Sequence, residues 1–267
     1  LRFERVGGVD ICTIVGQEVV VHGRQPLVGI IASRPPHVQT AAEREKPYAL
    51  RDLFIDTGLS EARLRELVRV GDLATMKRTY VELAEGYASG KAFDDRAGVA
   101  SLALCLEILA GMRHTWDVYA VATSQEEIGL RGATVSAFSV APTAAIAVDV
   151  GFGAQQGVSE QESIAMDGGP AIAIGPNIHP LMQERLVEVA KAHELKYQIE
   201  VAAGATGTDA WAIQVAREGI PTALLSIPLR YMHTSVETVC LRDIERTARL
   251  MALMIAGLDE AFAEQLG

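Results

Sequence analysis

The pattern of apolar and polar positions divides the chain into two parts. In the first part, short apolar stretches such as residues 18–21 and 27–31 are separated by long polar connections. This pattern is typical of short strands joined by turns and loops. It predicts a small β-barrel domain over residues 1–85.

The second part, residues 86–267, alternates apolar strands with amphipathic helices. Predicted strands cover residues 118–123, 144–148, 171–174, 197–201 and 222–227, and predicted helices cover residues 95–111, 180–193, 209–218 and 241–265. The helix over residues 95–111 places Val99, Leu102, Leu106 and Leu109 on one face. We therefore predict an α/β domain with a mixed, largely buried sheet that is flanked by helices.

Composition narrows the class of protein. The chain has 267 residues, a net charge of −10 and a pI of about 5.1, so it lacks the basic field that nucleic acid or anionic lipid would require. No apolar run is long enough to predict a membrane span. The three cysteines, Cys12, Cys105 and Cys240, are far apart and indicate reduced thiols in a cytoplasmic protein.

Polar residues stand at the ends of several predicted strands. In open α/β sheets, ligands bind beyond the carboxyl ends of the strands. The residues at these ends are Asp94, Asp95, Glu126, Glu127, Asp149 and His233. Carboxylates and imidazole are the ligands that zinc and related divalent ions take, and crowded carboxylates without a cation would repel one another.

The adjacent pair Glu126 and Glu127 indicates two separate roles. Two metal ions about 3.5–4 Å apart share ligands, and a further carboxylate within reach of the attacking water serves as general base. We expect one glutamate of the pair to bind metal and its neighbour to take a proton.

Simpler interpretations exist for each residue. Glu126 and Glu127 could form a solvated loop pair, and Asp95 is expected mainly to favour a helix amino terminus. His233 could be a core histidine, whereas a buried unpaired carboxylate at Asp149 would be costly. Asp209 with its preceding threonine is expected to cap a helix, with a role at a substrate's amino group as the alternative.

Five motifs in order resemble one enzyme family. They are A-F-D-D-R-A-G, T-S-Q-E-E-I-G-L-R-G, A-V-D-V-G, G-T-D-A-W-A-I and M-H-T-S-V-E. Together they resemble the tetrahedral, TET-type dinuclear metallo-aminopeptidases, which include deblocking and glutamyl aminopeptidases and some relatives labelled endoglucanase. The resemblance covers essentially the whole chain.

The resemblance implies a role for each site residue. Asp94 would bridge two metals, Glu127 and His233 would ligate one of them, and Asp149 would ligate the other. Glu126 would be the general base. The implied cofactors are two divalent ions per subunit, with zinc in the first place and cobalt or manganese as alternatives. The implied reaction is removal of amino-terminal residues from peptides by a hydroxide held on the two metals.

The resemblance also implies an assembly and a missing ligand. Residues 1–85 would be the family's inserted β-domain, which builds dimers and from them a tetrahedral dodecamer. The family's second metal takes a further histidine from an H-x-D motif that precedes this domain. No H-x-D occurs in the sequence, so we expect a chain truncated before Leu1.

Three alternatives to an aminopeptidase stay open at this point. An N-acyl amino acid deacylase or a carboxypeptidase on the same scaffold would share every metal ligand. An endoglucanase would use two carboxylates without metal, which the scarcity of aromatic residues does not favour. An inactive fragment would keep only the assembly function.

Overall fold

The computed structural model describes residues 1–266, with Glu43 described by its backbone alone. Contacts divide the chain into two compact units. The first unit contains Leu1–Val81 together with His233–Val236, and the second contains Glu82–Met232 and the chain from residue 237 onwards.

The first unit is built on a four-stranded antiparallel sheet in the order β3-β2-β1-β4. Its strands and short helices are α1 (Ile11–Ile14), β1 (Glu18–His22), β2 (Pro26–Ser33), α2 (Ala41–Arg44), β3 (Leu53–Asp56), α3 (Glu61–Leu67) and β4 (Ala74–Met76). The short strands predicted over residues 18–21 and 27–31 are confirmed as β1 and β2, which pair antiparallel. The end strands β3 and β4 pair only with β2 and β1, so the described strands form an open sheet, and no closed barrel is found among them.

Side chains of this sheet alternate between a buried and an exposed face. Ile31 on β2 and Val19 and Val21 on β1 pack with Leu53 and Ile55 of β3 in one hydrophobic cluster. Val28 and Ile30 on β2 point to the other face and are 53% and 51% exposed. The period of two along a strand explains the division.

The second unit is built on a seven-stranded mixed sheet. Its elements are β5 (Val81–Glu82), β6 (Tyr87–Gly90), α4 (Phe93–Leu109), α5 (Arg131–Val140), β7 (Ala145–Phe152), β8 (Ala171–Ile174), α6 (Pro180–Ala192), β9 (Gln198–Val201), α7 (Asp209–Gln214), β10 (Thr222–Arg230), β11 (Glu237–Cys240), α8 (Leu241–Ala256) and α9 (Glu260–Leu266). The strand order is β5-β6-β11-β10-β8-β9, and β7 pairs with β10. The pairs β7–β10 and β8–β9 are parallel, which confirms the mixed sheet.

Helices cover both faces of this sheet. On β10, Leu224 packs with Ala210 of α7 on one face. The neighbouring Leu225 points the other way and packs with Leu186 of α6 and Met251 of α8. The first eight residues of β10 are buried, as expected for an internal strand covered on both faces.

The predicted strand over residues 118–123 is wrong. This segment forms no strand ladder, and it runs between α4 and the turn at Glu126 with Tyr119 69% exposed and Val121 39% exposed. Its apolar composition predicted a buried strand, but a strand also needs a hydrogen-bonded neighbour, which none of the described residues provides.

Two predicted helices also differ from the structure. The predicted helix over residues 241–265 is divided into α8 and α9, because α8 ends at Ala256 with Gly257 as its C-cap. The predicted helix over residues 209–218 ends earlier, at Gln214. Among the described residues, no helix has the length and apolarity needed to cross a lipid bilayer.

Candidate metal centre

Acidic residues of the second unit lie in or next to three of its structural elements. Asp94 and Asp95 lie at the start of α4, Glu126 and Glu127 form a single 3-10 turn, and Asp149 lies in β7 opposite Ser226 of β10. Asp94, Asp95, Glu126, Glu127 and Asp149 all line one cavity. These carboxylates therefore lie in one region, as predicted, but not for the predicted reason. Asp149 lies inside β7 and not at its end, and the segment before Glu126 pairs with no described strand.

The segment around Asp94 is held by specific hydrogen bonds. The backbone N–H of Asp94 donates to the Glu237 carboxylate at 3.1 Å, and the backbone N–H of Gly98 donates to the Asp95 carboxylate at 2.8 Å. The peptide bond between Asp94 and Asp95 is cis. A Cβ atom at Gly98 would lie 2.1 Å from the Asp95 carboxylate, so the glycine of the A-F-D-D-R-A-G motif makes room for that side chain.

The turn that carries Glu126 and Glu127 is closed by another glycine. The backbone N–H of Gly132 donates to the carbonyl of Ser124 at 2.8 Å. A Cβ atom at Gly132 would lie 2.4 Å from the backbone of Ser124, which explains the final glycine of T-S-Q-E-E-I-G-L-R-G. The two glutamates therefore project from a tight helical turn and not from an extended chain.

Three of the predicted ligands come together. One ligand atom each from Asp94, Glu127 and His233 lie within 4.8 Å of one another. Two carboxylates and one imidazole form a donor set that suits zinc and related divalent ions. The residues present thus fit a divalent metal ion.

Asp149 is not part of that group of three. Its side chain is 9% exposed, and its Oδ1 accepts the N–H of Val150 at 2.8 Å. The pKa of Asp149 is raised to about 9, and burial is the largest cause. The charges of Asp95, Asp94 and Glu126 contribute to the same shift.

Asp95 is also protonated more readily than an ordinary aspartate. Burial is the largest cause that raises its pKa to about 8; the N–H of Gly98 opposes the shift, and the charges of Asp94, Asp209 and Glu126 add to it. Crowded buried carboxylates must either take up protons or share a cation. A divalent ion supplies that cation, and its binding would displace the protons.

Strained backbone positions accompany these residues. Ala92, Gln125 and His233 have positive φ angles of 57°, 61° and 62° although none is a glycine. Such conformations cost of order 1–3 kcal/mol each and concentrate at functional sites. They adjoin Asp94 and Glu126 and include a predicted ligand.

Comparison with known proteins gives the family. A model of the M42 glutamyl aminopeptidases matches residues 1–250. This chain belongs to the M42 glutamyl aminopeptidase family. The resemblance inferred from the five motifs is confirmed, and the protein is a hydrolase of the metal-dependent aminopeptidase class.

Individual relatives agree with the family match. The chain is 34% identical over 262 residues to the lysyl aminopeptidase of Pyrococcus furiosus, which covers 97% of this chain and 75% of the relative. A TET aminopeptidase from a Thaumarchaeota archaeon superposes with a TM-score of 0.94 at 35% identity, covering 100% of this chain and 77% of that one. The Pyrococcus horikoshii TET1 peptidase, which can assemble into a tetrahedron or a large octahedral shell, gives a TM-score of 0.83 at 31% identity, covering 96% and 77%.

Glu237 is a site residue that sequence reasoning missed. It is 3% exposed and accepts the backbone N–H of Asp94. Its signal in the sequence is the glutamate that ends the M-H-T-S-V-E motif and begins β11, since a buried carboxylate there needs a partner.

Thr208 and Asp209 differ from the expected side-chain cap of α7. Thr208 makes no side-chain cap to α7; instead Thr123 donates to Asp209 Oδ2 at 2.5 Å. Asp209 Oδ1 is buried, with no hydrogen-bond partner among the described residues. His179 lies at the N-cap of α6, and its backbone N–H donates to the carbonyl of Thr222 at the start of β10.

Proposed function

We propose that this M42 chain binds two divalent metal ions, with zinc as the first candidate, and uses them to remove amino-terminal residues from peptides. The observation that carries the proposal is the approach of Asp94, Glu127 and His233 to within 4.8 Å through one ligand atom each. In this proposal Asp94 would be a ligand shared by both ions, Glu127 and His233 would hold one ion, and Asp149 would hold the other.

The role of Glu126 follows from its position. It shares a single 3-10 turn with Glu127 and is half-buried beside Asp94 and Asp149 in the same cavity. The divalent ions, when bound, would lower the pKa of a bound water and polarise the scissile carbonyl. Glu126 would take the proton of the water as it adds to the carbonyl carbon, and would pass it to the leaving amine.

Other residues would keep these groups in place. Glu237 holds the backbone of Asp94, and the N–H of Gly98 holds the Asp95 side chain. Because the geometry of a metal site depends on such supporting hydrogen bonds, Glu237 acts as a positioning residue.

The first unit would serve assembly. We propose that residues 1–85 form the inserted β-domain and that it joins subunits into dimers and a tetrahedral dodecamer in the cytoplasm. Val28 and Ile30 form an exposed apolar face on β2, the kind of surface that protein–protein contacts cover. The Pyrococcus horikoshii relative supports assembly through its own tetrahedral and octahedral forms.

The test combines metal content with substrate choice. The chain, dialysed against excess zinc, is examined by elemental mass spectrometry and then assayed on a peptide with a free amino terminus and on its N-acetylated counterpart. We expect two ions per chain and hydrolysis of the free peptide only. Glu127→Gln should lower the zinc content, whereas the exposed Glu107→Gln on α4 should leave it unchanged.

The alternatives give different results. Hydrolysis of the acetylated peptide alone would indicate a deacylase. Zinc binding equal in the chain and in Glu127→Gln would contradict the assigned ligands. A chain that binds fewer than two ions and hydrolyses neither peptide would be an inactive fragment.

A further inference from the structure

Two adjacent glycines, Gly7 and Gly8, lie in the first unit ahead of α1. Gly7 has a φ angle of 77°, in the left-handed region that favours glycine. The φ angle of Gly8 lies outside that region, so its backbone would accept an alanine. Gly8 is also exposed, so burial does not exclude a side chain there. The reason for a glycine at position 8 must lie in what stands next to it.

The space beside Gly8 is taken by one side chain, the imidazole of His233. A Cβ atom at Gly8 would lie 2.7 Å from Nδ1 and 2.9 Å from Cε1 of His233, and the third-nearest atom is Cγ of the same ring at 3.6 Å. Atoms that are not bonded prefer separations of roughly 3.5–4.0 Å. A methyl group at Gly8 and the His233 ring therefore cannot both keep their places.

The position of the His233 ring is not fixed by a packed core. His233 is exposed, and its φ angle is 62°. It begins the segment His233–Val236, which is counted with the first unit although the chain on either side of it belongs to the second. Because an exposed side chain is not confined by close packing on all sides, each surface that its ring contacts matters for where the ring lies. Gly8 provides one of these surfaces.

A small displacement of this ring would matter for a metal ion. One ligand atom of His233 lies within 4.8 Å of ligand atoms of Asp94 and Glu127. Ligand distances in metal sites are defined to about 0.2 Å. The shift of roughly 0.5–1 Å that would make room for a methyl group at Gly8 is larger than this tolerance.

We propose that Gly8 is a positioning residue of the metal centre. The absence of a side chain at Gly8 leaves the His233 imidazole free to lie where it can share a divalent ion with Asp94 and Glu127. This inference rests on the proposed role of His233 as a metal ligand. It gives the first unit a part in metal binding that is separate from its proposed part in assembly. In this proposal Gly8 acts only through the His233 ring.

Gly8→Ala tests the proposal, with Gly204→Ala as its matched control. Gly204 also has a φ angle outside the left-handed region, and a Cβ atom there would meet no other described atom within 4 Å. The zinc affinity of the full chain and of both variants is measured by competition with a chromophoric chelator. We expect zinc binding to weaken by about 10–100-fold in Gly8→Ala, as when a supporting contact of a metal ligand is lost. Gly204→Ala should bind zinc like the unsubstituted chain.

A double variant separates the ring from the rest of the fold. His233→Ala removes the imidazole, so adding Gly8→Ala to it should weaken zinc binding by less than about 2-fold further. Urea denaturation with chelator present should give the same free energy of unfolding for Gly8→Ala and Gly204→Ala. The visible absorption spectrum of the chain loaded with Co²⁺ should change in Gly8→Ala and not in Gly204→Ala, because this spectrum reports the geometry of the ligands.

Three results would overturn the proposal. Zinc affinity that is unchanged in Gly8→Ala but reduced in His233→Ala would remove the role of Gly8 and keep His233 as a ligand. Zinc affinity that is unchanged in His233→Ala would remove the ligand itself, and with it both this inference and that part of the proposed function. An equal loss from Gly8→Ala with and without the imidazole, or a lower free energy of unfolding in chelator, would mean that Gly8 acts through the fold and not through the ring.

Discussion

Two clusters of charged residues in the second unit differ in what neutralises their carboxylates. The carboxylate cluster consists of Asp94, Asp95, Glu126 and Asp149, and the charges that raise the pKa of Asp149 come from the other three. The arginine–aspartate cluster consists of Asp167, Asp243, Arg242 and Arg246. There Arg242 and Arg246 donate to Asp167 at 2.9 and 2.6 Å.

In the arginine–aspartate cluster, backbone N–H groups also donate to the buried carboxylate. Asp243, which is fully buried, accepts the N–H groups of Asp167 and Gly169 at 2.7 and 2.8 Å and the Arg246 guanidinium at 3.0 Å. Burial raises the pKa of Asp243, and these donors counter the shift. Hydrogen bonds from Arg242 and Arg246 hold the pKa of Asp167 well below its usual range.

The difference separates a cluster that is neutralised within the chain from the cluster that we propose to be functional. Asp167 and Asp243 form ion pairs with Arg242 and Arg246. The pair between Asp167 and Arg242 connects the loop after β7 to α8. The pKa values of Asp95 and Asp149 are raised to about 8 and 9 by burial and by neighbouring carboxylates. A metal ion would relieve the repulsion between these carboxylates. Substitutions should therefore affect catalysis in the carboxylate cluster and stability in the arginine–aspartate cluster.

The largest expected effect is on catalysis. Glu126→Gln keeps the size of the side chain but removes the proton acceptor, so we expect peptide hydrolysis to fall by about 10²–10⁴-fold in kcat. The zinc content and the free energy of unfolding should stay near those of the unsubstituted chain. Steady-state kinetics with elemental analysis check this, and a large loss of bound zinc would instead make Glu126 a ligand.

The arginine–aspartate cluster should respond in stability. Asp243→Ala leaves the N–H groups of Asp167 and Gly169 and the Arg246 guanidinium without their acceptor. We expect the free energy of unfolding to fall by about 3–5 kcal/mol. Urea denaturation measures the loss. Asp243→Asn keeps one acceptor oxygen and should lose less, and equal losses would show that the hydrogen bonds do not carry the effect.

The metal-free carboxylate cluster should destabilise the fold as pH rises. A carboxyl whose folded pKa is raised keeps its proton in the folded chain and loses it on unfolding, so stability falls between the unfolded pKa near 4 and the folded pKa near 9 for Asp149. The expected slope is up to about 1.4 kcal/mol per pH unit for one such carboxyl. Asp149→Asn should flatten this slope in urea denaturation with chelator present, and an unchanged slope would refute the argument.

The smallest effect should appear in acid. The folded pKa of Asp167 is lowered, so its contribution to stability is present at neutral pH and is lost as the pH falls below about 4. We expect Asp167→Asn to be less stable than the unsubstituted chain at pH 7 and the difference to narrow towards pH 3. Matched denaturation curves at the two pH values measure it, and a constant difference would speak against the ion pairs.

Several residues of the candidate metal centre were predicted from the sequence. The positions of Asp94, Glu127 and His233 in three separate motifs predicted a shared site, and one ligand atom of each lies within 4.8 Å of the others. The strand-end argument behind that prediction holds only in part, since the residues before Glu127 pair with no described strand. The helical turn beneath Glu126 and Glu127 was not predicted, since Gln125 adopts a positive φ angle that its residue type does not indicate. Glu237 was missed because its partner, the backbone of Asp94, is 143 residues away in sequence.

The sequence alone determined the family, the mixed α/β class and the residue types of the metal centre, since these follow from local periodicity and from motifs whose chemistry is specific. The tertiary structure decided which elements pair. Residues 118–123 and β7 have the same apolar strand composition, but within the described residues 1–266 only β7 is paired, because pairing requires a neighbour that composition cannot provide. It also decided that Asp167 is an ion-paired carboxylate and Asp149 is not, because burial and the nearest charge set a pKa, and both are properties of the fold.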